Sequence, residues 1–264
     1  MAGPIITLTT DFGLSDHYVG TVKGVLLGIN PQATLVDISH MVQSHDVLDG
    51  ALTLAQAYHY FPAGTVNLVV VDPGVGSTRR PILAVTGKYS FIAPDNGVLS
   101  LVYDREERVT VYHVDASHYY LQPVSNTFHG RDIFAPIAAW VSKGVEAAKI
   151  GPEITDFVRF TVPKAKREGN TVKGAVLKVD RFGNLVTNIT PEDVPEVFAA
   201  QPAPFSLTVG KATIKALRPN YAESAAGEVF AILGSMGYLE ISANRAPASQ
   251  MAGVGRGAEV VVTL

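Results

Sequence analysis

The residues best suited to chemistry lie at the end of an apolar run. Asn67-Leu68-Val69-Val70-Val71 is short and β-branched and is fed by a turn at Pro62 to Gly64, so it reads as a buried strand. It delivers an acid, Asp72, to the loop Pro73-Gly74-Val75-Gly76, and a cation, Arg79, follows seven residues after the acid. An acid at the carboxyl end of a buried strand, on a glycine loop, is where open α/β sheets place ligands. The same residues also fit a turn cap and a solvated surface charge. A second cluster is Thr127-Phe128-His129-Gly130-Arg131-Asp132. It sets an imidazole on a glycine loop just before a helix, beside a carboxylate and an arginine, which suits proton transfer. Taken alone, a loop histidine is equally a capping or surface residue.

Two further stretches are candidates for binding. Asp180, Phe182 and Asn184 fall within five residues of a turn, and together they could grip a ligand carrying both an amine and a flat ring. A polar hairpin with a packed Phe gives the same pattern. Gly234 and Gly237 flank Ser235 and let backbone approach a ligand, as they would in an ordinary turn. Metal binding is the competing chemistry. Asp11, Asp37 and Asp72 sit at or past strand ends, with Asp16-His17, Ser39-His40 and His45-Asp46 nearby. Carboxylates and imidazoles so placed could hold a divalent ion in a hydrolase. There is no HExxH and no short-spaced ligand pair, and Asp16 and Asp46 stand where helix N-caps are expected. The expectation is therefore no metal site.

The elements that must position these residues follow from periodicity. Ile5 to Thr10 reads as a first strand and ends in an acid and a glycine, Asp11 and Gly13. Asp16 to Ile29 has helical spacing, Thr34 to Ile38 is a strand, Val47 to Tyr60 a helix, and the strand before Asp72 follows. That order predicts a parallel-rich sheet with crossover helices. Strands at 82–86, 90–93 and 109–114 and helices at 98–103 and 133–143 complete this half. From Thr171 onward short alternating runs and turns predict an all-β barrel or sandwich. The predicted fold class is an α/β N-terminal domain, residues 1–155, and an all-β C-terminal domain, residues 171–264, joined by a Pro- and charge-rich linker, 156–170.

Composition narrows the function classes. Of 264 residues 47% are hydrophobic and 17% charged, enough for a sizeable core. A net charge of −3 with no basic tract gives no support for binding nucleic acid or an anionic membrane. No apolar run is long enough to span a bilayer, and the N-terminus has no signal-peptide pattern. The absence of cysteine excludes disulfides and thiol nucleophiles and fits a cytoplasmic protein.

Six motifs in series carry a resemblance that no single one would. TDFG at Thr10 to Gly13, VDPGVGSTRR at Val71 to Arg80, PDNGVLS at Pro94 to Ser100, TFHGRD at Thr127 to Asp132, DRFGNLVTNI at Asp180 to Ile189 and GSMGYLEI at Gly234 to Ile241 run through nearly the whole chain. In them the chain resembles the adenosine-forming S-adenosyl-L-methionine hydrolases, relatives of the fluorinase and chlorinase. The resemblance implies a homotrimer whose ligand lies between the N-terminal domain of one subunit and the C-terminal domain of the next. It implies that Asp11 holds the ribose hydroxyls, Asp180 the methionine ammonium and Ser235 the methionine carboxylate. It implies that Phe182, Asn184, Asn244 and Arg245 meet adenine. Asp72, Arg79 and His129 match the hydrolases' polar triad.

Departures from the halogenases accompany this likeness. Asp72 replaces a tyrosine, Val75 a halide-pocket threonine and Gly130 a serine. Met236 replaces an arginine, and His45 falls in the segment that carries a tryptophan. An anionic Asp72 is expected to repel halide. The expected activity is hydrolysis of S-adenosyl-L-methionine to adenosine and L-methionine by water or hydroxide at C5′, without a cofactor. The alternatives are a halide-using adenosyltransferase and a non-catalytic adenosine or S-adenosylmethionine binding module.

Overall fold

Which strands lie at the centre of the first sheet is set by which can be buried on both faces. β1 (Ile5–Thr10) and β3 (Val66–Val70) are almost wholly buried and rich in β-branched residues, as strands covered on both sides must be. β1 lies between β2 (Thr34–Ser39) and β3 and is parallel to both. β5 (Ser90–Pro94) runs parallel to β3, whereas β4 (Pro81–Thr86), β6 (Val109–His113) and β7 (Glu153–Ile154) are antiparallel additions. The seven-stranded order is β2-β1-β3-β5-β4-β6-β7. The computed structural model describes residues 3–201 and 203–264, which fall into two compact units, Met1–Thr161 and Val162–Leu264.

Alternation along the strands sends side chains to two cores. Ile6, Leu8, Leu68 and Val70 pack with Val22 and Leu26 of α1 (Tyr18–Ile29) and with α4 (Ala135–Ser142). Val69 faces the other way, toward Leu54 of α2 (Val47–Ala57) and Val102 of α3 (Ser100–Arg105). The chain leaves β1 for β2 on one side and returns to β3 on the other. The carboxyl ends of β1 and β3 therefore form a topological switch point, the crevice where such sheets bind ligands. Thr10 is in register with Val70, so Asp11 and Asp72 emerge side by side. Inside the sheet the Thr7 hydroxyl donates to Asn67 Oδ1 at 2.7 Å and locks that register.

Local details differ from the sequence expectations in instructive ways. Asp46 caps α2 by accepting from the Asp49 N–H, but no side chain caps α1, which begins after His17 rather than at Asp16. A wide π-type turn, Gly130–Phe134, precedes α4, so this helical segment starts earlier than Ile133. The stretch expected to be a linker carries structure. Arg80 bonds Asp156 at 2.8 Å, the Val158 N–H donates to Asp95, and the Phe160 N–H donates to Ser100 Oγ. β8 (Lys166–Glu168) then pairs antiparallel with β9 (Thr171–Val179).

The second unit is an antiparallel sheet around its own core. Its order is β12-β11-β15-β9-β10-β14-β13, with β8 on β9. The remaining strands are β10 (Leu185–Thr187), β11 (Ser206–Val209), β12 (Ala212–Ile214), β13 (Val229–Leu233), β14 (Leu239–Ala243) and β15 (Glu259–Thr263). Leu217, just past β12, bridges Ala231 of β13, so the sheet nearly closes into a barrel. Leu207, Leu239, Ile241 and Val260 fill it, and α5 (Ala248–Ala252) covers one end. No helix among the described residues is long and apolar enough to cross a membrane.

Asn67 is the register lock of the central strands. Asn67→Ala leaves the buried Thr7 hydroxyl unpaired and is expected to cost about 1–3 kcal/mol in urea unfolding. An unchanged midpoint would show that the bond contributes nothing.

Candidate active site

The loop after β3 folds back on itself. The Val75 N–H donates to the Asp72 carbonyl and the Ser77 N–H to the Gly74 carbonyl, and these turns return the chain so that Arg79 meets Asp72. Arg79 Nε donates to Asp72 Oδ1 at 2.9 Å and Nη2 donates to Oδ2, a bidentate pair. Both side chains are under one-tenth exposed. The guanidinium lies over the Phe134 ring, 5.0 Å from its centre. Gly76 has φ +77°, and a Cβ there would fall 2.3 Å from the Asn126 carbonyl oxygen. A bare glycine thus lets this loop dock on the segment leading to His129.

Arg79 Nη2 also lies 2.8 Å from His129 Nδ1. A guanidinium only donates, so Nδ1 accepts and the ring proton sits on Nε2. Burial pushes the His129 pKa below 6.5, the Arg79 charge pushes it further, and Asp72 and Asp132 oppose without reversing this. His129 is therefore neutral near pH 7. Its loop is anchored by the buried Asp132, which binds Arg131 and accepts the Ser125 N–H.

Asp72 and His129 line a cavity of about 240 Å³ together with Asp11 and His45. Phe12, Tyr18 and Phe128 supply its apolar surface, with Tyr18 edge-on to Phe128 at 5.2 Å. Asp11 Oδ2 accepts the His45 N–H at 2.8 Å and holds His45 at φ +64°. Behind Asp11 a polar chain runs from the buried Thr10 out to the surface. Thr10 Oγ1 is 2.8 Å from His40 Nδ1, His40 Nε2 is 3.0 Å from Asp37, and Lys23 reaches Asp37 at 2.6 Å. Burial raises the Asp37 pKa, but hydrogen bonds from Lys23 and His40 outweigh it and leave the carboxyl below its ordinary value. Asp37 and His40 thus brace the end of β2. Among the described residues no three His, Asp or Glu side chains are gathered as a metal site.

In the second unit Phe182, Asn184, Asn244 and Arg245 line one cavity of about 520 Å³, with Tyr221 and Pro247. Asp180 stands at its edge and is busy. Oδ1 accepts the N–H groups of Phe182 and Asn184, and Oδ2 accepts the Asn184 side-chain amide at 2.8 Å. Three of about four lone-pair positions are used, so Asp180 holds the turn and fixes the Asn184 side chain. Asn244 Nδ2 donates to the Ser224 carbonyl. Ser235 lies at the exposed tip between β13 and β14 and is not part of that cavity's wall. Among the described residues the non-glycine positions at positive φ are His45 and Arg245, and each lines one of these cavities. Such backbone is uncommon and clusters at ligand sites.

The structure thus gathers Asp11, Asp72 and His129 around one cavity with Arg79 behind, and Phe182, Asn184, Asn244 and Arg245 around another. Sequence reasoning missed Phe12, Tyr18, Phe128 and Tyr221. Phe12 and Phe128 sit inside motifs already noted, whereas nothing local marks Tyr221.

Comparison with known proteins finds two family models in order. The SAM hydroxide adenosyltransferase N-terminal domain matches residues 6–151 and its C-terminal domain residues 174–261. The chain is 36% identical to an (R)-S-adenosyl-L-methionine hydrolase of Salinispora tropica, covering 98% of each. It is 35% identical to one of Thermus thermophilus, covering 95% of this chain and 96% of the relative. A fluorinase of Actinoplanes is 28% identical, over 98% of this chain and 97% of the relative. A solved structure of a conserved protein of Thermotoga maritima superposes with TM-score 0.90 at 35% identity, covering 98% of this chain and all of the other.

The shared Arg79 makes the His129 titration a direct probe of the cluster. In Arg79→Met the repelling cation is gone and Asp72 remains, so the NMR midpoint of His129 rises from below 6.5. The unfolded chain binds this proton more readily than the native one, so wild-type stability falls as pH drops below about 6.5. A His129 midpoint unmoved by the substitution would contradict the contact.

Proposed function

We propose that this chain, which belongs to the SAM hydroxide adenosyltransferase family, cleaves S-adenosyl-L-methionine to adenosine and L-methionine by attack of water on C5′. The observation that carries this reading is the Asp72–Arg79–His129 cluster on the cavity at the switch point, facing Asp11. The water oxygen forms a bond to C5′ as the C5′–sulfur bond breaks, and the electron pair returns to sulfur to give the neutral thioether. The sulfonium leaves without acid assistance, so the protein's task is to orient water and receive its proton.

Hydrogen-bond roles divide that task. His129 Nδ1 is occupied by Arg79 and Nε2 carries the proton, so the imidazole donates to the water oxygen. Arg79 has no lone pair. Asp72 alone retains free lone pairs, and it accepts the water proton as the new bond forms. Asp11 spends one lone pair on His45 and keeps others for the two ribose hydroxyls. Phe182, Asn184 and the Asn244–Arg245 backbone take adenine, and Asp180 and Ser235 face the methionine end. No cofactor enters. A homotrimer would let each half-site be completed by another copy of the chain.

Selectivity against halide has a different origin from the one Asp72 alone implies. Paired with Arg79, the carboxylate is formally neutralised. What a halide lacks here is the hydroxyl donors, because Val75 and Gly130 stand where the halogenases have hydroxyl groups. Fixing water, C5′ and sulfur in line is worth several kcal/mol by itself.

Cleavage in oxygen-18 water is expected to place the label in the adenosine 5′-hydroxyl, with no 5′-chloro product on adding chloride. Asp72→Asn and His129→Ala are expected to lower kcat on the order of 10²–10⁴-fold with little change in KM. A fully active Asp72→Asn protein, or adenosine without label, would overturn the mechanism.

A further inference from the structure

Glu240 is an acid that the mechanism above leaves unused. Strand register places Lys178, Val186 and Glu240 in one row, and Val179, Leu185 and Ile241 in the next. Leu185 and Ile241 point into the barrel core. Alternation therefore turns Asp180, Asn184, Glu240 and Ser242 to the opposite face, the face from which Asn184 enters the adenine-side cavity.

The Glu240 side chain is in an unusual state. It is 6% exposed, a burial at which carboxylates are normally paired. Among the described residues no hydrogen bond or cation offsets that burial. Instead it lies against the bare Cα of Gly234, where a Cβ would come within 1.8 Å of Oε1. The carboxylate is thereby directed at the turn that carries Ser235. Burial raises its pKa, and the neighbouring Asp180 charge adds to this. Tyr221 lies close enough to feel the same charge. Two acids on one face, Glu240 buried and Asp180 partly so, make a place for a cation from outside the chain.

We propose that Glu240 is a second acceptor, beside Asp180, for the α-ammonium group of the substrate's amino-acid end. The inference rests on the functional reading above and names a specificity residue within it. A primary ammonium carries three donors in a compact charge. Glu240 supplies unspent lone pairs, Asp180 the one its turn leaves over, and Ser235 stands beside them for the α-carboxylate.

The test separates ammonium from adenosine recognition. Glu240→Gln is nearly isosteric and is expected to raise KM for S-adenosylmethionine roughly tenfold or more with kcat within about threefold, since a charge-assisted bond is lost. Its adenosine Kd, by calorimetry, is expected to match wild type. An S-adenosylmethionine analogue lacking the α-amino group is expected to be disfavoured by wild type and not by Glu240→Gln. Gly234→Ala, which displaces the same carboxylate without altering its charge, provides a second variant with the same expectation. Unchanged KM and undiminished discrimination in either folded variant would overturn the proposal. Failure of wild type to cleave S-adenosylmethionine would instead sink the functional reading.

Discussion

A single arginine, shared between a buried carboxylate and a neutral imidazole, holds the candidate site of the first unit together. Arg79 satisfies both Asp72 oxygens and fixes the His129 tautomer. Buried ion pairs add little net stability but are costly to break, about 3–5 kcal/mol when one partner is removed. The pair thus specifies geometry more than it stabilises the fold. The loop that closes it depends on Gly76 nesting under Asn126, and the loop that receives it depends on Asp132. Each loop positions the other through the guanidinium.

The rest of the first unit delivers that cluster to the right place. Reversal of strand order at β1 opens a crevice, and the Thr7–Asn67 bond sets the register that brings Asp11 and Asp72 out together. Asp11 holds the left-handed His45 with one oxygen and leaves other lone pairs free on the cavity. Asp180 shows the same economy in the second unit, because its carboxylate shapes the turn that presents Phe182 and Asn184. An acid in a motif can therefore act on a ligand directly, through a neighbour, or both.

Much of this was legible in the sequence, for a physical reason. Buried strands declare themselves by β-branched runs, and the acid that ends one is visible as a break in the run. That is how Asp11 and Asp72 stood out. Short alternating runs likewise revealed the β-rich second half. Other features depend on contacts far apart in sequence. The aromatic wall of Phe12, Tyr18 and Phe128 joins segments more than 100 residues apart, and only folding shows that they share a cavity. Glu240 was hidden for a subtler reason. Alternation indicates that it shares a face with Ser242, but not which face is core and which meets ligand. The Asp72–Arg79–His129 grouping was expected from the resemblance, but the bidentate geometry of the Asp72–Arg79 pair emerges only from the fold.

The most direct test is a crystal structure of the protein with adenosine and L-methionine. An ordered water, or the adenosine 5′-hydroxyl itself, is expected within about 2.6–3.2 Å of both Asp72 and His129 Nε2, in line with C5′ and the methionine sulfur. An Asp72 carboxylate far from C5′ and turned to bulk solvent would contradict the role assigned to the cluster.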